Sequence, residues 1–577
     1  MSSRVTPLLS VFRLSVCFTR PTPQLALSEI EFSVEKNSII GIVGESGSGK
    51  SLTAMSIMGL LDQKHTQIEG QIEFMGQPIF PNHPQRVRNH RGKDIAMIFQ
   101  DPMTALNPAK RCGAQVDEML MLQGGLNQEQ AKEKTLELFE QVKLPDPPSI
   151  YRRYPHQLSG GQMQRIMIAM AISCQPKLLI ADEPTTALDV TVQKDIIDLL
   201  KEIQAKTQMA LIFISHDLAL VSEIAHEILV MYQGKIVEKG RPEAIFLNPQ
   251  NEYTKALIAA RPQGHLRLKS LATVASIKDK SFTPEIFSAE QRAAKHQRLY
   301  LKDPLLQVQN LTKAFYQRPI LFGKKQMTKA VDQVSFSVFE GETVGLVGES
   351  GCGKTTLVKT LLNLEKASSG SVFYKGQDIS QLSDAQWRTL RKDIQIIFQD
   401  PFSSLNPKMT VGDCILEPME VHGIGPSHQN RRQKLHYLLD QVGLDPSYAS
   451  RYPHQLSGGQ RQRVGIARAI ALEPKIIVCD ESVSALDISV QAQVLNLLNA
   501  LKENFGFTYI FISHDLSVVQ YMSDQLLVMQ KGHLVEIGDA DEIYAMPKSP
   551  YTKSLIGAIP KGINVNNNTS GKSSPNT

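Results

Sequence analysis

The chain is expected to fold as an α/β protein built twice over, each half around a mostly parallel sheet. Short apolar runs such as Ile39 to Val43 and Lys177 to Ala181 alternate with helical stretches, the pattern of strands covered by helices on both faces. One set of motifs occurs twice in the same order about 300 residues apart, a spacing too long for a solenoid unit and right for a duplicated domain. The length of 577 residues, with 42% hydrophobic and 21% charged residues, suffices for several ordinary cores.

The elements follow in order. Ile39 to Val43 and Thr343 to Val347 are read as strands, each leading into a Gly-rich turn and a helix. Residues 95–99 and 394–398 are second apolar strands that end at Gln100 and Gln399. Gln128 to Val142 is an amphipathic helix. Ser159 and Ser457 are expected to cap helices that stop at Pro176 and Pro474. Then come a buried strand, a helix, and a strand ending at His216 or His514. Asn37 stands where the second copy has Gly341, and asparagine tolerates the left-handed turn that glycine favours. The offset between copies is 304 at Lys50 and Lys354 and 299 at Gln100 and Gln399, so the first copy has about five extra residues. They fall in the Pro/His/Arg-rich stretch from Pro78 to Lys93, read as a surface loop; Gly323-Lys324-Lys325 marks a longer loop in the second copy. The expected domains are residues 1–260 and 305–562, with a linker over 261–304 and a disordered polar tail over 563–577.

Composition excludes several functions. A net charge of +5, scattered along the chain, does not point to nucleic acid. The six cysteines form no CxxC or CxxxC pair, which argues against a metal or iron–sulfur site. No apolar run reaches the ~18 residues that span a bilayer. Val5 to Phe18 is interrupted by polar residues and reads as the first strand, not a targeting segment.

Gly44-Glu45-Ser46-Gly47-Ser48-Gly49-Lys50-Ser51 and Gly348-Glu349-Ser350-Gly351-Cys352-Gly353-Lys354-Thr355, with Thr356 next, are phosphate cradles between strand and helix. Glycines let backbone N–H groups point at phosphates, Lys50 and Lys354 reach the β/γ-phosphates, and the Ser51 and Thr355 hydroxyls suit Mg²⁺. Asp182 and Asp480 end apolar strands, where a carboxylate can hold Mg²⁺. Glu183 and Glu481 follow, expected on the other side of the strand and suited to general-base work on water. An Asp-Glu at a strand end can also merely cap the next helix. His216 and His514 read as γ-phosphate sensors, though a lone histidine is more often structural. Gln100 and Gln399 can ligate Mg²⁺ or orient water, or simply enter the turn made by the proline that follows. Ser159-Gly160-Gly161-Gln162 and Ser457-Gly458-Gly459-Gln460 offer a second anion-binding helix start in each half. Two phosphate-binding ends but one catalytic carboxylate per half favour a head-to-tail pair. In it, each ATP is pinched between the cradle of one half and the Ser-Gly-Gly turn of the other.

These motifs resemble those of the ATP-binding cassette (ABC) ATPases over nearly the whole chain apart from linker and tail. The resemblance implies two P-loop cassettes in tandem, each with a RecA-like core, an antiparallel β subdomain and a helical signature subdomain. It implies ATP and Mg²⁺ as cofactors, and D-loops at Ala187-Leu188-Asp189 and Ser484-Ala485-Leu486-Asp487. Phe18 and Phe315 fall where the family stacks an aromatic ring on adenine. The runs Phe99 to Pro108 and Phe398 to Pro407, the Tyr-Pro-His-Gln before each signature, and the tails Tyr253 to Leu257 and Pro550 to Leu555 are similar to those of the peptide/nickel importer subfamily. That implies an ATPase subunit on the cytoplasmic face of a bacterial inner membrane, serving two permease subunits and an extracytoplasmic substrate-binding protein. Peptides, glutathione or microcin C would be its class of cargo, with nickel or another small solute as the alternative. The proline-rich runs after Gln100 and Gln399 are expected to be docking loops, with Leu106 and Leu405 at their surface. Ser482 departs from the Pro184 of the first half. The rival reading is a soluble twin cassette acting on ribosomes or nucleic acid, which usually carries a highly charged helical linker instead of this mixed one.

Overall fold

The computed structural model describes residues 6–20, 22–62, 64–81, 84–186, 188–262, 267–317, 326–400, 404–484, 486–560 and 562–563. Gly323 to Lys325, Ala187 and Ala485 of the D-loops, Pro401 to Ser403 and the tail from residue 564 lie outside the described residues. The chain divides into two compact units, one formed by 1–188, 192–258 and 560–577 and the other by 189–191 and 259–559.

Among its described residues the first unit contains ten strands: β1 (Leu9–Phe18), β2 (Gln24–Val34), β3 (Ile39–Val43), β4 (Thr66–Phe74), β5 (Gln77–Phe80), β6 (Ile95–Ile98), β7 (Leu178–Asp182), β8 (Ala210–Ser215), β9 (Glu227–Tyr232) and β10 (Lys235–Gly240). They form a six-stranded sheet of order β10-β9-β3-β8-β7-β6 and a four-stranded sheet of order β2-β1-β4-β5. The larger sheet is parallel except where β10 pairs antiparallel with β9, and the smaller is antiparallel. Apolar residues of both sheets and of the helix Lys50–Ile57, including Leu14, Ile42, Ile57 and Ile180, share one core. A helical layer of Cys112–Gly124, Gln128–Gln141, Pro147–Arg152 and Gly160–Ile172 follows β6.

The second unit repeats the plan with β11 (Leu306–Gln317), β12 (Gln326–Val338), β13 (Thr343–Val347), β14 (Ser369–Tyr374), β15 (Gln377–Asp378), β16 (Ile394–Ile397), β17 (Ile476–Asp480), β18 (Thr508–Ile512), β19 (Gln525–Gln530) and β20 (His533–Asp539). Its sheets have the orders β16-β17-β18-β13-β19-β20 and β12-β11-β14-β15. The expected left-handed turns are present, with φ of 57° at Asn37 and 81° at Gly341. The stretch from Pro78 is more ordered than a surface loop, since it holds β5 and a helix Pro84–His90.

Residues 267–300 pack on the second unit and carry the helices Val274–Lys278 and Ala289–Tyr300. Arg267 and Arg292 pair with Asp541, Lys295 reaches Asp524 at 2.6 Å, and His296 lies between Asp524 and Asp539. Asp524 in turn accepts from the Thr343 amide at 2.9 Å and from Lys502 at 3.1 Å, tying this cluster to the foot of β13.

Candidate functional site

In each unit four strands of the large sheet end side by side, and the loops leaving their carboxyl ends carry the chemistry, the usual location of a ligand crevice in an open α/β sheet. After β3, Gly47 and Gly49 take φ of 78° and 104°, and after β13 Gly351 and Gly353 take 77° and 113°, conformations that favour glycine. The turn therefore wraps a small volume and hands its N–H groups to the helix start. Lys50 and Lys354 are buried, and each ammonium donates to two carbonyls of its own turn, Gly44 and Glu45 or Gly348 and Glu349.

The residues after β6, β7 and β8 meet at one carboxylate. Glu183 accepts from Gln100 Nε2 at 2.9 Å and from Thr186 Oγ1 at 2.9 Å, lies 3.4 Å from His216 Nδ1, and is 3.8 Å from Lys50 Nζ. Glu481 accepts from Gln399 Nε2 at 2.8 Å and lies 3.5 Å from His514 Nδ1. Burial raises the pKa of Glu183, but His216, Lys50 and Thr186 outweigh it and bring it down to about 2. Glu481 is also lowered, first by its hydrogen bond with His514. Burial instead pushes the neighbouring Asp182 and Asp480 up to about 6, with the adjacent glutamate adding to the rise.

Neither glutamate continues its strand as expected. Glu183 and Glu481 sit at φ of 46° and 47°, in the left-handed region that costs a non-glycine residue on the order of 1–2 kcal/mol. The kink turns the carboxylate away from the strand's pleat and toward the glutamine and histidine of neighbouring loops. The same left-handed φ recurs at the equivalent glutamate of both copies.

The donor set fits Mg²⁺. Ser51 Oγ donates to Asp182 Oδ1 at 3.0 Å, so hydroxyl and carboxylate are already together. In the second unit Asp480 Oδ1 is buried with no hydrogen-bond partner among the described residues, an acceptor that a cation would satisfy. One carboxylate and one hydroxyl beside a phosphate cradle is the sparse ligand set that Mg²⁺ takes when nucleotide completes its shell.

Ser159 and Ser457 cap the helices Gly160–Ile172 and Gly458–Ile470 through capping boxes with Gln162 and Gln460. Each turn is solvent-exposed, and among the described residues its capping bonds stay within itself and do not reach the cradle of its own unit. The second glycine is needed for packing, since a Cβ on Gly161 would stand 2.8 Å from Val192 and one on Gly459 2.5 Å from Val490. The first glycine keeps the helix start bare. Phe18 lies at the end of β1 and Phe315 in β11, where it is 41% exposed with Lys313 Nζ 4.9 Å above its ring.

Two features correct or extend the sequence reading. Leu106 and Leu405 are buried at 1% and 2% exposure, so they are core residues and not docking contacts. In the first unit Asp101 caps a short helix Pro102–Ala105, which turns the next residue inward; Phe99 and Met103 stay outside. The tails have a direct role that no motif announced. Tyr253 OH accepts the Glu45 amide at 3.0 Å, and Tyr551 OH accepts the Glu349 amide at 3.0 Å, so each tail tyrosine braces the cradle of its unit.

Residues 27–186 and 331–484 match the ABC transporter family. The chain belongs to that family. It is accordingly an ATP-binding protein with ATPase activity, made of two ABC cassettes in tandem. Residues 237–281 and 535–574 match the C-terminal region of oligopeptide/dipeptide transporters. The chain is 43% identical over 564 residues to the glutathione import ATP-binding protein GsiA of Escherichia coli K12, covering 96% of this chain and 89% of that protein. GsiA of Shigella sonnei is 44% identical over 564 residues with the same coverage. Among solved structures, the bacterial ABC transporter cassette MJ0796 matches with 30% identity, 41% of this chain, 98% of its own and a TM-score of 0.37. No helix of the described residues is long and apolar enough to cross a membrane.

Proposed function

We propose that this protein is the ATP-hydrolysing subunit of an importer for peptides or a peptide-like substrate such as glutathione, working at the cytoplasmic face of the membrane with two permease subunits and an extracytoplasmic binding protein. The observation that carries the reading is the doubled constellation of lysine, aspartate, kinked glutamate, glutamine and histidine, in a chain that also has two oligopeptide-transporter C-terminal regions.

In this reading Gly44 to Ser51 and Gly348 to Thr356 hold the phosphates of two ATP molecules. Lys50 and Lys354 give up their carbonyl partners to meet the β/γ-phosphates. Ser51 with Asp182, and Thr355 with Asp480, would hold Mg²⁺, with Gln100 and Gln399 as further ligands. When bound, Mg²⁺ neutralises phosphate charge and polarises the γ-phosphoryl group. Glu183 and Glu481 accept a proton from the attacking water, and a carboxylate kept ionised by its neighbours is ready for that task. His216 and His514 bridge glutamate and γ-phosphate, and Phe18 and Phe315 stack on adenine. The exposed Ser159 and Ser457 turns complete the nucleotide of the opposite cassette, so the two halves of one chain close on two ATP molecules and reopen after hydrolysis.

The test is growth of the source bacterium with glutathione or defined peptides as sole sulfur or nitrogen source, with the gene intact, deleted, or carrying Glu183→Gln with Glu481→Gln. Loss of growth on one of these substrates in both mutant strains is expected. Unaltered growth on all of them would remove the peptide-class assignment.

A further inference from the structure

The two signature helices share their opening but not their interior: Gly160–Ile172 has Met163 and Met170 where Gly458–Ile470 has Arg461 and Arg468. Arg461 is only 7% exposed, and its Nε donates to Pro453 O at 2.8 Å while Nη2 donates to Leu456 O, both in the loop that delivers Ser457. Burial lowers the pKa of Arg461, and the Asp400 carboxylate, next to Gln399, opposes that in part. Arg468, further along the helix, donates through Nη1 to Ser404 O. The arginines thus join three things: the signature turn, its helix, and the segment that follows Gln399. A methionine side chain has no donor, so Met163 and Met170 form none of these bonds.

A third arginine serves as an internal control. Arg165 Nη1 donates to Val142 O at 2.8 Å, and its counterpart Arg463 donates to Val442 O at 2.8 Å. Where the residue type is kept the bond is kept, so the helices are set alike in their subdomains. The bonds added by Arg461 and Arg468 go to the loop before Ser457 and to Ser404 after Gln399.

We propose that Arg461 and Arg468 are positioning residues that hold the second cassette's signature turn firmly to its Gln399 segment, while the first cassette carries its signature turn without those ties. Guanidinium-to-carbonyl bonds are charge-assisted and fix direction as well as distance. A turn held this way presents its N–H groups to a nucleotide already ordered, and a loose turn must be ordered on binding. Given the head-to-tail reading above, the firm Ser457 turn completes the ATP site built on Lys50, which makes that site the tighter of the two. The same ties give the second cassette a direct route from its Gln399 segment to its signature turn.

The experiment exchanges the residues in the full chain. Arg461→Met with Arg468→Met uses the side chains that the first cassette already tolerates, and Met163→Arg with Met170→Arg makes the reverse change. ATP dependence of hydrolysis, site-resolved vanadate trapping of a photoreactive ATP, and melting temperature are recorded. The arginine-to-methionine protein is expected to need at least about 5-fold more ATP for half-saturation, the order expected when charge-assisted bonds that order a loop are lost. Its kcat should stay within about 2-fold. Arg461→Lys should recover part of the loss. Trapping should fall at the Lys50 site. Trapping that falls at the Lys354 site instead would keep the positioning role and remove the head-to-tail reading. An unchanged KM, or a lower melting temperature with KM and kcat altered together and no recovery by lysine, would overturn the proposal.

Discussion

The two cassettes have the same site set in different surroundings. In the first, Glu183 is held by Gln100, Thr186 and His216, with Lys50 close by, and Asp182 is already bonded to Ser51. In the second, Glu481 is held by Gln399 and His514; Ser484, at the place of Thr186, has a buried hydroxyl with no partner among the described residues, as has Asp480 Oδ1. Beneath the sheet the contrast reverses. The second unit has a buried network of Glu342, Lys502 and Asp524 under residues 267–300, where the first has Ser38, Gln204 and His226. The two units share the groups proposed to meet nucleotide and differ in the supports around them.

The largest effect expected is one on which the cassettes agree. Leu106→Asp and Leu405→Asp each place a carboxylate in a core position, and each should destabilise its unit by at least about 4 kcal/mol. Calorimetry should show one transition lost or shifted far down in each variant. A variant that melts normally but fails in import would restore the docking role for these leucines.

A second effect should separate the units. In the first, Thr135 and Tyr151 both donate to Asp117 at 2.6 Å, and burial with that partner pushes the Tyr151 hydroxyl up to about 12. The second unit has Leu416, Leu435 and Ala449 at these places. Tyr151→Phe removes one donor from a buried carboxylate and should cost about 1–3 kcal/mol. Thermal denaturation should show the first unit melting lower and the second unmoved. Equal shifts in both would break the assignment of this triad to one unit.

The network under 267–300 predicts a weaker, pH-dependent difference. His296 is raised, first by its bonds with Asp524 and Asp539, while burial pushes Glu342 up to about 7 against the help of Phe339 and Tyr300. A group whose folded pKa is raised stabilises fully below its unfolded value and loses that contribution as pH climbs through the folded one. For Glu342 the loss runs from about 4.3 to 7, and for His296 it begins near 6.5. Lys502, pushed down to about 8 by burial, works the other way above that pH, and Asp524, well below its ordinary value, stays ionised throughout. Arg267, Arg292, Lys295, Asp539, Asp541, Tyr300, Tyr521 and Tyr544 complete the charged and titratable surroundings. The second unit's melting temperature should therefore fall between pH 5 and 8 more than the first unit's. His296→Gln with Glu342→Gln should flatten that slope; an unchanged slope would place its origin elsewhere.

The smallest effect concerns Thr186. Thr186→Ala removes one of the hydrogen bonds to Glu183 Oε2, leaving that from Gln100, and should slow turnover at that site by about 3- to 10-fold, the scale of one hydrogen bond, while Ser484→Ala should do almost nothing. Equal effects in steady-state hydrolysis would erase the difference between the glutamates.

Much of this was legible in the sequence because the decisive elements announce themselves locally. Apolar runs placed β3 and β13 to the residue, the left-handed turn was readable in Asn37, and Ser159 and Ser457 advertised their caps. What was not legible depends on contacts far apart in the chain. The kinked Glu183 meets a glutamine and a histidine from two other loops, and the brace from Tyr253 reaches back more than 200 residues to Glu45. Leu106 lies between Pro102 and Pro108 and so reads as surface, yet the short helix after Asp101 turns it inward. Residues 261–304 read as a linker because their charges are mixed; the partners of Arg267, Arg292 and Lys295 are Asp524, Asp539 and Asp541, which only the fold brings near.

The claim that both cassettes are complete ATPase sites is tested most directly by Glu183→Gln and Glu481→Gln, measured separately by single-turnover hydrolysis with site-resolved trapping. Each variant should bind MgATP normally and lose hydrolysis at its own site by ~10²-fold or more, the scale of losing a general base. Hydrolysis by the Glu481→Gln protein at the full rate, with the Glu183→Gln protein inactive, would contradict the claim and leave the second site a regulatory one.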